Sequence, residues 1–206
     1  MKYTTENITL MRLIEEGIAD SYTYEEYRSL VSDLLSEDKS TGHTQTEALT
    51  NYSMLNDRRM KRLDKTIKID EEIKEAVANK SLNVGLLVLS EGWCGDAAQS
   101  LPIINKIAAL NEGIDLKIVL RDDHDDLMSN FLTNGGKSIP KLIMYDRNTK
   151  EVIDTWGPRP SIATQMVNDY KEEHGQLDAK FKQDLQVWYN ADKGKNIADD
   201  IAKLLQ

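Results

Sequence analysis

One stretch of the sequence constrains the fold more than any other. Residues 82–90 form a largely apolar run, the chain turns at Gly92, and the only cysteine of the protein, Cys94, follows. Such a short run, bounded by turn residues, is typical of a buried central strand. The residues after the cysteine, 96–99, favour the start of a helix. We therefore predict a lone thiol at a strand-to-helix junction, where the helix dipole stabilises a thiolate.

The chain before this stretch is predicted to be helical. Apolar residues recur at helical spacing between residues 11 and 18. Thr23 and Glu26 have the spacing of a capping box, in which each side chain accepts a hydrogen bond from the backbone of the other, and they predict the start of a second helix. Thr44 and Glu47 repeat this pattern and predict the start of a third. We expect residues 1–64 to form a helical extension.

From residue 66 onward the pattern alternates between strands and helices. Apolar runs predict four strands, at residues 82–90, 114–120, 141–145 and 150–155. Helices are predicted at residues 71–79, 95–111, 123–134, 161–189 and 196–205. Pro102 is expected to kink the second of these helices and Gly175 to break the fourth. The first two strands imply a parallel crossover and the last two a hairpin, so we predict a mixed sheet with helices on both faces.

Within this element order, four features resemble the thioredoxin family. Trp93-Cys94-Gly95 resembles the opening of that family's Trp-Cys-Gly-Pro-Cys motif, and Pro102 resembles its helix-kinking proline. Ile139-Pro140 resembles the family's cis-proline pair, and Gly157 resembles the glycine after its last strand. The resemblance covers about residues 66–175. It implies an α/β fold of three layers, α/β/α, around a mixed central sheet. We divide the chain into the N-terminal helical extension, residues 1–64, packed on the core, and a thioredoxin-like domain with extended C-terminal helices, residues 65–206.

The sequence departs from the family at three positions that bear on its chemistry. Ala97 stands at the second cysteine, Asp96 at the proline between the cysteines, and Val88 at the buried acid that helps to activate the second thiol. Without a second cysteine, the chain holds no thiol that can resolve a mixed disulfide. The resemblance therefore implies a monothiol thiol-disulfide oxidoreductase, in which Cys94 attacks a disulfide and an external small thiol releases the product.

The resemblance also implies a role for each residue around the cysteine. Cys94 is the nucleophile, with Ala97 at the empty resolving position. The backbone amides of Gly95 and Asp96 stabilise the thiolate, and Trp93 shields one side. We expect the junction to expose the sulfur. A redox-active thiol predicts a pKa below that of a free cysteine, but the Asp96 carboxylate opposes the helix dipole, so the direction of the pKa shift stays open.

The substrate-binding residues implied by the resemblance are Ile139 and Pro140. A cis bond between them lets Ile139 present its backbone to an extended substrate strand. The expected partner is a protein or a small molecule that carries a thiol or disulfide, and we expect no cofactor and no metal. Two other hypotheses stay open: a binding module that uses the same groove without thiol chemistry, and a redox sensor in which Cys94 is oxidised or pairs between two chains.

Charge and spacing argue against other function classes. The formal net charge of −9 disfavours nucleic-acid binding, which rewards clustered cations. One basic segment, residues 58–65, is either a docking patch or a solvated helix end. The acidic segment 122–126 lacks the spacing of a known metal loop, and a solvated loop explains it better. Because this loop follows a strand, Arg121 and His124 are expected near the cysteine, as is Arg159 between its two prolines.

Nothing in the sequence predicts a membrane protein. No apolar run is long enough to cross a bilayer, and the first residues lack the apolar core of a signal peptide. The lone cysteine excludes an internal disulfide, which suits a reducing compartment. We therefore expect a cytoplasmic protein, and we leave its oligomeric state open.

Overall fold

Four strands form one mixed sheet in the computed structural model, which describes residues 4–206. The strands are β1 (Val84–Ser90), β2 (Ile114–Leu120), β3 (Lys141–Asp146) and β4 (Val152–Trp156). They lie in the order β2-β1-β3-β4. β1 is parallel to β2 and antiparallel to β3, and β4 is antiparallel to β3. The predicted parallel crossover and the predicted hairpin are both present.

Helices cover the sheet and complete three layers, α/β/α, so the predicted fold class is confirmed. They are α1 (Thr5–Ala19), α2 (Tyr24–Ser36), α3 (Glu47–Thr66), α4 (Glu71–Ala78), α5 (Gly95–Ala108), α6 (Asp125–Ser129), α7 (Ser161–His174), α8 (Ala179–Asp192) and α9 (Lys195–Leu204). Within the part of the chain that is described, no helix is both long and apolar enough to span a membrane.

The central strand β1 is buried along its whole length, which explains its continuous apolar sequence. Its side chains Leu86 and Leu87 are inaccessible to solvent. Gly17 of α1 packs closely on this strand, since a Cβ atom there would lie 3.1 Å from Cδ2 of Leu87. The N-terminal helices also reach β2, because Tyr22 exchanges two backbone hydrogen bonds of 2.8 Å with Ile118. The boundary near residue 64 stays a prediction.

Helix starts follow the capping chemistry, with one correction. The capping box at Thr23 is present: its hydroxyl accepts from the amide of Glu26, and the Glu26 carboxylate accepts from the amide of Thr23. The predicted box at Thr44 is wrong. Thr46 caps α3 instead, since its hydroxyl accepts from the amide of Leu49 at 3.2 Å. Both threonines satisfy the composition rule, and only the backbone shows which one has the extended conformation of an N-cap.

The predicted helix at residues 123–134 is also wrong in its length, because α6 ends at Ser129. Asn134 and Gly135 have positive φ angles of 50° and 77°, which a helix does not allow. Two backbone hydrogen bonds, of 2.9 and 3.0 Å, instead close a tight turn between Thr133 and Gly136. The predicted break at Gly175 is confirmed, with φ of 77°, and it separates α7 from α8.

Candidate functional site

The lone thiol lies between the end of β1 and the start of α5. Cys94 is the N-cap residue of this helix, with an extended backbone (φ −79°, ψ 113°). Its Sγ accepts a hydrogen bond from the backbone amide of Ala97 at 3.4 Å. The same sulfur donates to the carbonyl oxygen of Ile139 at 3.3 Å. The predicted strand-to-helix junction is therefore present, and the cysteine side chain itself caps the helix.

The sulfur is buried, so the expectation that the junction exposes it is wrong. Only 8% of Cys94 is accessible to solvent. Burial, followed by the negative charge of Asp96, raises the pKa of the Cys94 thiol to about 12. The backbone amides of Ala97 and Asp96 and the guanidinium of Arg159 lower this pKa, but by less. The sequence left the direction of the Cys94 pKa shift open, and in the structure the shift is upward. The resting sulfur is therefore a thiol, which donates to the carbonyl oxygen of Ile139.

Asp96 is the second ionisable group of the site, and it is partly buried. Its side chain is 12% exposed and forms an ion pair of 2.8 Å with Arg159. The hydroxyl of Tyr189 donates to its other oxygen at 3.0 Å. Burial raises the pKa of Asp96 despite the opposing effects of Arg159, Tyr189 and the nearby Arg59. Arg159 therefore reaches the site, as its position between two prolines predicted.

Helices α3 and α8 lie against the first turn of α5, the helix that begins at the cysteine. Tyr189 of α8 binds Asp96, and one turn earlier Gln186 accepts a hydrogen bond of 3.0 Å from Gln99 of α5. From α3, the guanidinium of Arg59 comes within 3.6 Å of the place that a Cβ atom on Gly95 would take. Both helices thus pack beside the cysteine, and burial of the thiol is the largest cause of its raised pKa.

Sequence reasoning missed the part that α8 takes in the site. A signal was present, since Phe181, Leu185 and Tyr189 follow one another at intervals of four residues and predict an apolar helix face. All three side chains are buried. The spacing identifies the face that packs, but it does not say which part of the protein the face packs against. The contact between Tyr189 and Asp96 joins residues 93 positions apart.

Trp93 lies on another side of the cysteine, together with a cation from the loop after β2. The guanidinium of Arg121 lies 4.9 Å from the centre of the indole ring and forms an ion pair of 2.6 Å with Asp122. Arg121 is thus near the site, as predicted. The expectation for His124 is wrong, because its imidazole faces α1, with Nε2 3.7 Å from the carboxylate of Asp20.

Glu91 is a buried carboxylic acid that sequence reasoning also missed. It is inaccessible to solvent, three residues before the cysteine. One of its oxygens accepts from the backbone amide of Asp122 at 3.0 Å, which ties the end of β1 to the loop after β2. Burial raises the pKa of Glu91. No feature of its sequence neighbourhood distinguishes it from a solvated turn residue.

Ile139 and Pro140 lie beside the sulfur, in a tightly packed corner. Both residues are buried, and the peptide bond between them is cis. Gly157, with φ of 109°, packs against them so closely that a Cβ atom there would lie 2.2 Å from the carbonyl oxygen of Pro140. Only glycine fits this position. The structure thus places Ile139 next to Cys94, while its contact with a substrate stays a prediction.

The site therefore combines one thiol, one partly buried ion pair and several backbone hydrogen-bonding groups. Ala97, at the position of a second thiol, is 1% exposed and offers only its amide to the sulfur. Residues 4–206 contain no group of three or more His, Cys, Asp or Glu side chains that is suited to a metal ion. A single thiol in such a place is able to form one mixed disulfide at a time.

Comparisons with known proteins agree with this architecture. A sequence profile described as thioredoxin matches residues 42–171, more than half of the chain. The crystal structure of a protein of unknown function from Pseudomonas aeruginosa is similar, with a TM-score of 0.54 and 15% identity over 89% of this chain and 97% of that one. An HIV epitope scaffold is similar with a TM-score of 0.54 and 16% identity over 89% and 98%. These identities show the fold alone. No curated protein matches significantly.

Proposed function

The chain belongs to the thioredoxin family, and on this basis we propose that it is a thiol-disulfide oxidoreductase that acts through Cys94 alone. Family membership supports a redox role for the fold, and the single-cysteine cycle is the finer proposal. The observation that carries it is the pair of hydrogen bonds at the sulfur. The amide of Ala97 and the carbonyl of Ile139 hold Sγ at the start of α5, where a developing thiolate meets a positive helix end.

The proposed cycle has two exchange steps. The Cys94 thiolate attacks one sulfur of a substrate disulfide, forms a mixed disulfide with it, and releases the other sulfur as a thiolate. A small external thiol, as its thiolate, then attacks the substrate sulfur of the mixed disulfide. Cys94 leaves as a thiolate and a new disulfide carries away the oxidising equivalents. The substrate is a protein or small molecule, and a reducing compartment such as the cytoplasm suits this cycle.

Exchange requires the buried sulfur to become accessible, and α8, which packs beside it on α5, is the element that we propose to move. The polar contacts that hold α8 over α5 are individually modest: Tyr189 with Asp96 and Gln186 with Gln99. Its two ends are marked by residues with left-handed or positive φ angles, Gly175 before it and Lys193 and Gly194 after it. We propose that α8 opens as a unit, and that opening both admits the disulfide and lowers the pKa of Cys94 by restoring its hydration.

Capture of the mixed disulfide tests this function. The protein is incubated with a small disulfide, and mass spectrometry measures the mass added to Cys94, with Cys94→Ser as the control. We expect one adduct for each chain, which an added small thiol removes. The variant Ala97→Cys supplies a resolving thiol and should convert the adduct into an internal disulfide. Absence of any adduct under conditions in which α8 is opened by Gln186→Ala would refute the proposal.

The burial of Cys94 favours a second candidate, a binding module that uses the thioredoxin-like groove without thiol chemistry. In that case a partner segment occupies the groove beside Ile139, and the cysteine only fills space and caps α5. The two candidates differ in one variant. Cellular function unchanged by Cys94→Ser supports the binding module, and function lost in Cys94→Ser but kept in Ala97→Ser supports the thiol cycle.

A further inference from the structure

A cavity of about 500 Å³ lies between the last turn of α3 and the turn that joins α8 to α9. The thiol cycle does not use it. Tyr189 forms part of its wall, and the hydroxyl of this same residue binds Asp96 in the site. The cavity thus lies next to the contact between α8 and Asp96, and its walls come from the end of α3 and the end of α8.

Most of the charged groups around this cavity are cations, whereas the protein as a whole has a negative net charge. Four cations line it, and Asp70 is the carboxylate among its lining residues; the cations are Arg62, Lys68, Lys193 and Lys195. Lys195 lies 3.5 Å from Asp70, and Arg62 donates to the amide oxygen of Asn190. The ammonium groups of Lys68 and Lys193 have no carboxylate within 4.0 Å among residues 4–206. In a chain of net charge −9, such a cluster attracts a counter-anion.

The remaining walls of the cavity are apolar. Leu63, Ile67 and Tyr189 line it and are each less than one tenth exposed. A volume of this size is within the range of small-molecule sites, which combine apolar walls with a few well-placed polar groups. We propose that the cavity binds a small organic anion with at least two negative charges, of phosphate or carboxylate type, and a compact apolar part.

Such an anion would also hold α8 closed. Because it contacts α3 and the end of α8 together, it binds the closed arrangement better than an open one and stabilises it by linkage. Reagents should then reach Cys94 more slowly when the anion is bound. This consequence depends on the closure of α8 and on the reactivity of the thiol toward an alkylating reagent. The binding itself depends on neither and is measured equally well in Cys94→Ser.

Calorimetric titration of the full chain with three probes tests the site. Phenyl phosphate and phthalate carry the two kinds of anion on the same ring, and inorganic phosphate lacks the ring. We expect both aromatic dianions to bind more tightly than inorganic phosphate, and the tighter of the two identifies the anion type. The variant Lys68→Gln/Lys193→Gln should weaken binding about tenfold or more, because it removes two cations from the cavity.

The matched control is Lys171→Gln/Lys182→Gln, which removes two exposed cations on α7 and α8 outside the cavity. The affinity of this control variant for the aromatic dianions should stay within about twofold of the affinity of the natural protein. Equal weakening in both double variants, or no saturable binding of either aromatic dianion, would overturn the site. Saturable binding with an unchanged rate of Cys94 alkylation would overturn the effect on α8 and leave the binding site in place.

Discussion

Replacing Asp96 with asparagine should lower the pKa of the Cys94 thiol. The carboxylate of Asp96 raises this pKa, second only to burial. Asparagine keeps the size of the side chain and an oxygen that accepts from Tyr189, but it removes the negative charge. The guanidinium of Arg159, which now pairs with Asp96 at 2.8 Å, then acts on the thiolate without a compensating anion. Both changes favour the thiolate.

The magnitude follows from the size of such charge effects. A neighbouring charge moves a pKa by about 1 to 3, so the Cys94 pKa should fall from about 12 to between about 9 and 11. At neutral pH the thiolate fraction then rises about 10- to 1000-fold. A less basic thiolate is also a weaker nucleophile, by about threefold for each step of one in pKa. The net gain in alkylation rate is about 3- to 30-fold.

The assay is the rate of Cys94 alkylation as a function of pH, together with the ultraviolet absorbance of the thiolate. For the natural protein the rate should still rise tenfold for each pH step up to about pH 10, because the pKa lies above that value. Asp96→Asn should react faster near neutral pH, where the gain in thiolate fraction outweighs the weaker nucleophile, and its absorbance titration should have a lower midpoint. Circular dichroism establishes that the variant is folded.

Two control variants separate electrostatics from access. Gln186→Ala removes the hydrogen bond to Gln99 without a change of charge, so it should speed alkylation through easier opening of α8. Arg159→Met removes the cation and should raise the midpoint of Cys94, opposite in sign to Asp96→Asn. An unchanged or higher midpoint in folded Asp96→Asn would refute our account of the site electrostatics.

Three further predictions concern stability. Burial raises the pKa of Glu91 in the folded protein above its value in the unfolded chain. The stability that Glu91 contributes is therefore fully present below the unfolded pKa and is lost as the pH rises through the folded pKa. Glu91→Gln should flatten this fall in the free energy of unfolding, as measured by urea denaturation between the two pKa values. Gly157→Ala should lower the free energy of unfolding by more than about 2 kcal/mol, since its Cβ would meet a backbone carbonyl oxygen. Gly175→Ala has open space for its Cβ, so it should cost about 1 kcal/mol in the same assay. Thr46→Ala should cost about 1 kcal/mol by loss of its cap, while Thr44→Ala should cost almost nothing in thermal unfolding.

Local patterns predicted the elements wherever one interaction dominated. The apolar run of β1, the capping box at Thr23 and the break at Gly175 depend on residues that lie close together in the chain, so their chemistry is readable there. Errors arose where neighbours competed. Thr44 and Thr46 satisfy the same capping rule, and α6 ends at Ser129, before the residues at which the sequence predicts its end. Backbone angles, which composition does not specify, decided both cases.

The sequence by itself determined that a single thiol lies between a buried strand and a helix, with no second thiol to resolve a mixed disulfide. Gly157 was recognised only through its resemblance to the family's glycine, and the close approach that requires a glycine there is seen in the structure. Tertiary structure alone decided the state of the thiol. The burial that raises the Cys94 pKa and the contact of Tyr189 with Asp96 both depend on residues far apart in the chain. Solvation and charge act through space, over distances that sequence spacing does not fix.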